Sequence, residues 1–229
     1  MVYLIPTVIA EGVTETIPPY VLDAVKQCKV FFVENERTAR RFLKSIWKEM
    51  VIDDYRWYTI HKAEDEVLQQ FAGHIKKGEN IGIISEAGCP GVADPGQVLV
   101  AKAQELNAVV RPLVGPSSIL LALMASGMNG QAFRFNGYLP IDAAERRKAL
   151  LQLEDEAIKK GVAQIFIETP FRNDSMVKEI LQCCKPATRL CIAVDITAST
   201  ESICTKKIQE WKTSIPVLHK RPVIFLLGV

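Results

Sequence analysis

Apolar and polar positions along the chain fall into blocks that alternate between a strand period and a helix period. Val2–Pro6 opens with an apolar run of strand length. In Pro18–Cys28, Tyr20, Leu22, Ala24 and Val25 mark the apolar positions of a helix. Val30–Val33 reads as a second strand, Thr38–Trp47 as a basic helix and Trp57–Ile60 as a third strand. Ala63–Lys77 carries Val67, Leu68, Phe71 and Ile75 at helical spacing, and Gly78 ends it. The strand Ile81–Ser85, a Gly/Pro-dense loop, a helix to Leu106 and the strand Val109–Val114 complete the first half. Strands separated by helices of this length predict a doubly wound, mainly parallel sheet.

The second half differs. Gly115-Pro116-Ser117-Ser118 leads into the apolar helix Ile119–Ala125, with a serine as its cap. Phe133–Leu139 is a strand and Ala143–Lys160 a long charged helix. Ala163–Ile167, Arg189–Val194 and Val223–Leu227 are strands with short polar helices between them, and Ser202–Thr205 is a candidate edge strand. The expected organisation is two α/β domains, residues 1–115 and 116–229, the first sheet parallel and the second mixed, with an inter-domain cleft.

Composition narrows the class without choosing a partner. The chain has 229 residues, 48% hydrophobic and 24% charged, with a net charge of +2, as in an ordinary globular protein. No apolar run approaches the ~20 residues that span a bilayer. The first residues, Met1-Val2-Tyr3-Leu4-Ile5-Pro6, lack the charged region and cleavage site of a signal peptide. None of the six cysteines (28, 89, 183, 184, 191 and 204) forms a C-x-x-C pair, and His61, His74 and His219 lie far apart, so no metal site is expected. Reduced thiols and no export signal point to a cytoplasmic protein with no membrane partner.

The loop Ser85-Glu86-Ala87-Gly88-Cys89-Pro90-Gly91-Val92-Ala93-Asp94-Pro95-Gly96 is the most informative stretch. It leaves a strand and enters a helix, the place where ligands bind in open α/β sheets. Glycines let a ligand approach the main chain, and prolines stiffen the turn. Asp94 is expected to N-cap the helix with Pro95 in its first position. No activating base stands near Cys89, so a nucleophilic role is not expected.

At these residues the chain resembles the tetrapyrrole methylase superfamily of S-adenosylmethionine-dependent methyltransferases, and most of all its small-subunit ribosomal RNA branch, which methylates a cytidine ribose 2′-hydroxyl. The resemblance rests on ordered blocks across nearly the whole chain: Tyr3-Leu4-Ile5-Pro6-Thr7, Glu34-Asn35-Glu36-Arg37, His61, the loop from Ser85 to Gly96, Gly115-Pro116-Ser117, Ala125-Ser126-Gly127, Gly137-Tyr138-Leu139-Pro140 and Glu168-Thr169-Pro170-Phe171-Arg172. It implies a homodimer and a cofactor, S-adenosylmethionine, held largely by main-chain groups. The implied contacts are Gly88, Cys89, Pro90 and Val92 in the loop, Pro116, Ser117 and Ser118, then Ile167, Glu168, Ala193 and Pro222, with Ile9 a weaker candidate. Read without the resemblance, Ile167, Ala193 and Val92 are plain core positions.

Methyl transfer from a sulfonium is an in-line displacement, so a protein mainly aligns the reactants and excludes water. A ribose hydroxyl is a poor acid and needs a group to polarise it or take its proton. Glu34, Arg37 and His61 are the catalytic candidates, with Glu86 and Asp94 behind them; a surface histidine is the alternative for His61. Glu86 is expected to order the loop by accepting backbone N–H groups. Arg37, Arg40, Arg41, Lys44 and Lys48, interleaved with Phe42 and Trp47, form one candidate RNA-binding set, and Arg146, Arg147, Lys148 and Arg172 a second. The alternative for each is a solvated helix face. The partner expected is ribosomal RNA or the small ribosomal subunit. The other readings are a small-molecule acceptor such as a tetrapyrrole precursor, or a non-catalytic cofactor-binding protein. Departures from the branch lie at Val8-Ile9-Ala10-Glu11-Gly12, Asn35-Glu36, Glu86, Val194-Asp195 and Lys220-Arg221-Pro222.

Overall fold

The computed structural model describes residues 1–60 and 64–229. The chain divides into two compact units, Met1–Ser117 and Ser118–Val229.

In the first unit the described strands are β1 (Val2–Ile5), β2 (Val30–Val33), β3 (Arg56–Thr59), β4 (Ile81–Ile84) and β5 (Val110–Pro112). They form one parallel sheet in the order β3-β2-β4-β1-β5. The helices are α1 (Tyr20–Gln27), α2 (Glu36–Ile46), α3 (Glu64–Lys76) and α4 (Gln97–Glu105). Successive side chains of a strand point to opposite faces. Tyr3, Ile5, Phe31, Val33 and Ile84 therefore meet Val21 and Val25 of α1 and Ala39 and Leu43 of α2. Val2, Val30, Phe32, Ile81 and Ile83 meet Phe71 of α3 and Leu99 and Ala103 of α4. Each such buried side chain contributes about 1.5–3 kcal/mol through apolar burial. At Gly82 a Cβ would stand 2.7 Å from carbons of both Ile5 and Phe31, so glycine lets these two side chains close over β4.

The neighbours β1 and β4 send their chains to opposite faces, β1 towards α1 and β4 towards α4. The loops after them diverge, which makes this a topological switch point with ligand-binding potential at the carboxyl edge.

The second unit is built from α5 (Ser118–Ser126), β6 (Phe133–Tyr138), α6 (Ala143–Lys160), β7 (Ala163–Ile167), α7 (Asn173–Cys183), β8 (Arg189–Val194), β9 (Ser202–Lys207), α8 (Ile208–Trp211) and β10 (Val223–Gly228). Its sheet runs β6-β7-β10-β8-β9, with β6 and β7 parallel and the other pairs antiparallel. Leu150, Val177, Ile180 and Trp211 from α6, α7 and α8 cover one face, over Phe166, Ile192 and Phe225. Ala122 and Leu123 of α5 cover the other, over Ile165, Cys191 and Leu226. The α6 ends follow local chemistry. Asp142 accepts the N–H groups of Ala144 and Glu145 at 3.0 and 2.9 Å, and Gly161 closes the helix at φ 64°.

Several expectations need correction. Tyr20 is 44% exposed rather than a core position; its hydroxyl accepts the Val114 N–H at 2.5 Å, and Val21, Ala24 and Val25 make the contact with the sheet. The segment after β7 is no short polar helix: α7 buries Met176, Val177, Ile180 and Leu181. The helix after the Gly/Pro loop starts at Gln97, past Asp94 and Pro95.

Candidate functional site

The loops after β1, β2 and β4 meet at the carboxyl edge of the parallel sheet. Thr7 donates its N–H to the Gly88 carbonyl at 2.9 Å and its hydroxyl to the Ser85 carbonyl at 3.4 Å, joining the first loop to the fourth. Gly88 needs its φ of +74°, and a Cβ there would stand 3.3 Å from the Pro116 carbonyl oxygen. The Cys89 thiol donates towards the Gly115 and Pro116 carbonyls at 3.7 and 3.5 Å. Burial, helped by the Asp94 charge, raises its pKa and keeps it protonated. Gly115 in turn lies so close to Pro6 that a Cβ would fall 2.0 Å from the proline Cβ.

Asp94 is not a helix cap. Its carboxylate reaches back to the Gly91 N–H at 2.9 Å and forward to the Gly96 N–H at 2.6 Å, clasping the loop across its own turn. Burial raises the Asp94 pKa and the Glu34 charge adds to this, while the two N–H donors and Ser85 oppose it. Glu86 also differs from expectation. Its side chain accepts from the Thr38 hydroxyl at 3.4 Å, and its own N–H donates to the Glu34 carboxylate at 3.0 Å. The carboxylate that orders the loop is therefore Glu34.

Asn35 caps α2 by accepting the Arg37 and Thr38 N–H groups at 3.0 and 3.4 Å. Arg37 then stands exposed in the first turn with no ion pair among the described residues. His61 lies outside the described residues. Between the first loop, α2 and the start of the fourth loop is a cleft of about 400 Å³ whose walls include Thr7, Ile9, Thr38, Arg41, Phe42 and Glu86. Its volume falls in the range of ligand sites. Ile9 thus joins the α2 residues, whereas Gly88, Cys89, Pro90 and Val92 do not line this cleft. Val92 is 53% exposed, so it is no core position. Thr38 and Ser45, absent from the sequence candidates, line the cleft; the N-cap grammar of Asn35 was the one local signal for Thr38.

In the second unit Ile167, Glu168, Ala193 and Pro222 share one edge of the sheet. Ile167 and Ala193 flank Ile224 in register, and Asp195 donates its N–H to the Pro222 carbonyl at 3.0 Å. Ser118 starts α5. The Glu168 side chain is 1% exposed and accepts from Arg172 at 2.6 and 2.7 Å and from the Thr169 N–H at 2.6 Å.

The basic sets are thinned by internal partners. Arg40 pairs with Glu36 at 2.7 Å and lies over the Trp57 ring at 5.0 Å. Arg41 pairs with Glu11 at 2.9 Å, Lys44 donates to the Met50 carbonyl at 3.0 Å, and Phe42 is buried. Arg146 pairs with Glu179 at 2.5 Å and Arg172 with Glu168. Among the described residues no group of three or more His, Cys, Asp or Glu could hold a metal ion, and no helix is long and apolar enough to cross a membrane.

The family model described as Tetrapyrrole (Corrin/Porphyrin) Methylases matches residues 7–212, most of the chain. The chain belongs to the tetrapyrrole methylase family. Its curated relatives include proteins named Ribosomal RNA small subunit methyltransferase I. That of Neisseria meningitidis serogroup A is 29% identical over 66% of this chain and 50% of its own length. The Micromonospora olivasterospora protein is 32% identical over 78% of this chain and 54% of its own, and that of Buchnera aphidicola 29% over 99% and 77%. The chain thus spans about half the length of the first two. Among solved structures, the methyltransferase CobJ matches with a TM-score of 0.63 at 16% identity, covering 99% of this chain and 92% of that one. The uroporphyrin-III C-methyltransferase of Thermus thermophilus, complexed with S-adenyl homocysteine, matches at 0.57 and 16% identity over 99% and 96%. These likenesses show the fold: two α/β units, one sheet parallel and one mixed.

Proposed function

We propose that this tetrapyrrole methylase transfers a methyl group from S-adenosylmethionine to a ribose 2′-hydroxyl of small-subunit ribosomal RNA. The observation that carries the reading is the loop from Ser85 to Gly96, built of main chain and clasped at the switch point by Asp94 and Thr7. The names of the curated relatives supply the acceptor class.

The loop suits such a donor. At Gly91, φ is +83° and nothing stands within 4 Å of a would-be Cβ, so the backbone is open to a ligand. No Lys or Arg occurs between Ser85 and Gly96 to oppose a sulfonium. Gly88, Cys89, Pro90, Val92, Pro116 and Ser117 are the proposed donor-binding groups of the first unit. Ser118, Ile167, Glu168, Ala193 and Pro222 are those of the second. The bound donor supplies an already activated methyl carbon, which leaves alignment to the protein. Glu34 acts here as a positioning residue, because its carboxylate fixes the Glu86 N–H and with it the loop. Arg37, exposed at the start of α2 and with no ion pair among the described residues, is proposed to polarise the acceptor hydroxyl or grip its phosphate. Ile9 belongs with the acceptor-side cleft rather than with the donor groups. His61 stays a catalytic candidate. The working unit is proposed to be a homodimer in the cytoplasm, which sedimentation of the purified chain tests.

The deciding experiment incubates the chain with methyl-labelled donor and small ribosomal subunits from a strain lacking this protein. Label is expected on one ribose, and its phosphodiester should resist alkaline cleavage because the 2′-oxygen is capped. No label, with the donor shown by calorimetry to bind, would remove ribosomal RNA as the acceptor.

A further inference from the structure

Among the described residues several surface cations are held by carboxylates. Arg56 holds Glu79 at 2.6 Å, Lys102 holds Glu105 at 2.8 Å, and Lys159 and Lys160 hold Asp155 and Glu156 at 2.9 Å each. Between α6 and α7 one cation is paired, and its neighbours make no ion pair among the described residues. The side chains of Arg146 and Glu179, 12% and 15% exposed, tie the two helices together. Directly beside that tie, Arg147 and Lys178 line a polar groove of about 330 Å³ with Ser175, Gln182 and Cys183. Arg147 also lines an adjoining hollow of about 410 Å³, where Lys148 joins it. Arg147, Lys148 and Lys178 are all exposed, and none makes an ion pair among the described residues. The acidic residues of the groove and the hollow, Glu179 and Asp155, are occupied by Arg146 and Lys159. Three unpaired cations converge on one ridge, with a hydroxyl and a carboxamide between them.

We propose that this α6–α7 groove binds the phosphodiester backbone of RNA, as an anchor built from residues other than those of the loop. The inference rests on the reading of RNA as acceptor and adds a second contact on the C-terminal unit. An arginine shared by two hollows can take adjacent phosphates, with Lys148 and Lys178 as point charges on either side. Such contacts carry no sequence information; they add affinity and fix register. Each neutralised phosphate also releases counterions, so the groove should be visible in the salt dependence of binding.

The test compares the full chain with a triple variant, Arg147→Gln, Lys148→Gln and Lys178→Gln, by fluorescence titration of a labelled RNA hairpin at several salt concentrations. The slope of log affinity against log salt should fall by about 2–3, and affinity near 0.1 M salt on the order of a hundredfold. Donor affinity should not move. A control, Lys160→Gln, removes a paired cation from the same helix while Arg134 still holds its partner Glu156, and should leave the slope unchanged. Alkylation of Cys183, whose half-buried thiol lines the groove, should slow when RNA is added. A slope unchanged in the triple variant, or lowered as much by the control, overturns the proposal. Methyl transfer is scored separately. Transfer with an unchanged slope rejects the groove and keeps the methyltransferase reading, whereas a lowered slope without transfer does the reverse.

Discussion

Replacing Asp94 by alanine removes the carboxylate that spans the Gly91–Gly96 turn of the loop after β4. Two donors lose their acceptor: the Gly91 N–H at 2.9 Å and the Gly96 N–H at 2.6 Å. Hydrogen bonds to a charged group are worth about 1.5–3 kcal/mol each, but a donor that can reach water recovers much of this. Gly91 is half-buried and can be hydrated, whereas Gly96 is buried and its N–H is left unsatisfied. The net loss is then about 2 kcal/mol, dominated by Gly96, or roughly thirtyfold in donor affinity at 1.4 kcal/mol per decade. Asp94→Asn keeps one acceptor oxygen and should cost about fivefold. The sign of the pH effect separates this from general instability. Burial raises the Asp94 pKa in the fold, so its contribution to stability is fully present below the unfolded pKa and lost as pH rises through the folded one. Asparagine, neutral throughout, escapes that loss, and Asp94→Asn should be at least as stable as the native chain at neutral pH. Calorimetric titration with S-adenosylhomocysteine, beside urea unfolding of the same samples, reads both quantities. Alanine binding within about twofold of the native chain, or an affinity loss in Asp94→Asn matched by lost stability, would refute the clasp.

Gly115→Ala should lower the unfolding free energy by about 1–3 kcal/mol through overpacking, because the new Cβ would fall 2.0 Å from a carbon of the rigid Pro6 ring; an unchanged urea midpoint contradicts this. Arg37→Ala should leave donor affinity intact and lower methyl transfer, since its side chain makes no ion pair among the described residues; full transfer removes it from the reaction. Thiols should alkylate in a fixed order near neutral pH. Cys183, its pKa lowered chiefly by a hydrogen bond from Cys184, should go first, while burial holds Cys28 at about 12 and Cys191 at about 11. Peptide mass spectrometry showing Cys28 or Cys191 modified before Cys183 would reverse that assignment.

What could be read from the chain was what neighbours in sequence decide. Ala143–Lys160 has the same ends in the structure as in the pattern, because Asp142 and Gly161 signal both termini locally. Ala163–Ile167 and Arg189–Val194 stand out as short apolar runs between turn residues. Some of the misreadings are local and others involve partners distant in sequence. Asp94 looks like a cap until its carboxylate is seen to span the loop from Gly91 to Gly96. Tyr20 looks apolar until Val114, brought near by β5, offers its N–H. The Glu34–Glu86 contact joins residues 52 apart, and nothing in either segment announces it. Lys178 reaches the groove of Arg147 only because α6 and α7 pack side by side.

The departures from the ribosomal RNA branch also change meaning in three dimensions. Asn35 stands where that branch carries an aspartate, yet it accepts the same two helix N–H groups that a capping aspartate would, so the α2 terminus and the placement of Arg37 survive. Glu86 replaces an aspartate, and its extra methylene still lets the carboxylate meet the Thr38 hydroxyl while its N–H serves Glu34. The two changes in the second unit meet each other. Asp195, at φ 49°, accepts from Arg221 at 2.8 Å and from the Thr200 hydroxyl at 2.8 Å, and Arg221 also donates to the Thr200 carbonyl at 2.9 Å. A chain drifting without function would lose such partners one at a time, leaving a half-buried charge unpaired at a cost of several kcal/mol. Here the two residues are paired, and the edge that carries Ala193 and Pro222 is pinned by the Asp195 N–H to the Pro222 carbonyl. Arg221→Met should therefore lower donor affinity, and Asp195→Asn combined with it should restore part of the loss by removing the orphaned charge. Calorimetry of the two variants decides it: no rescue would mean that the pair is incidental to the edge.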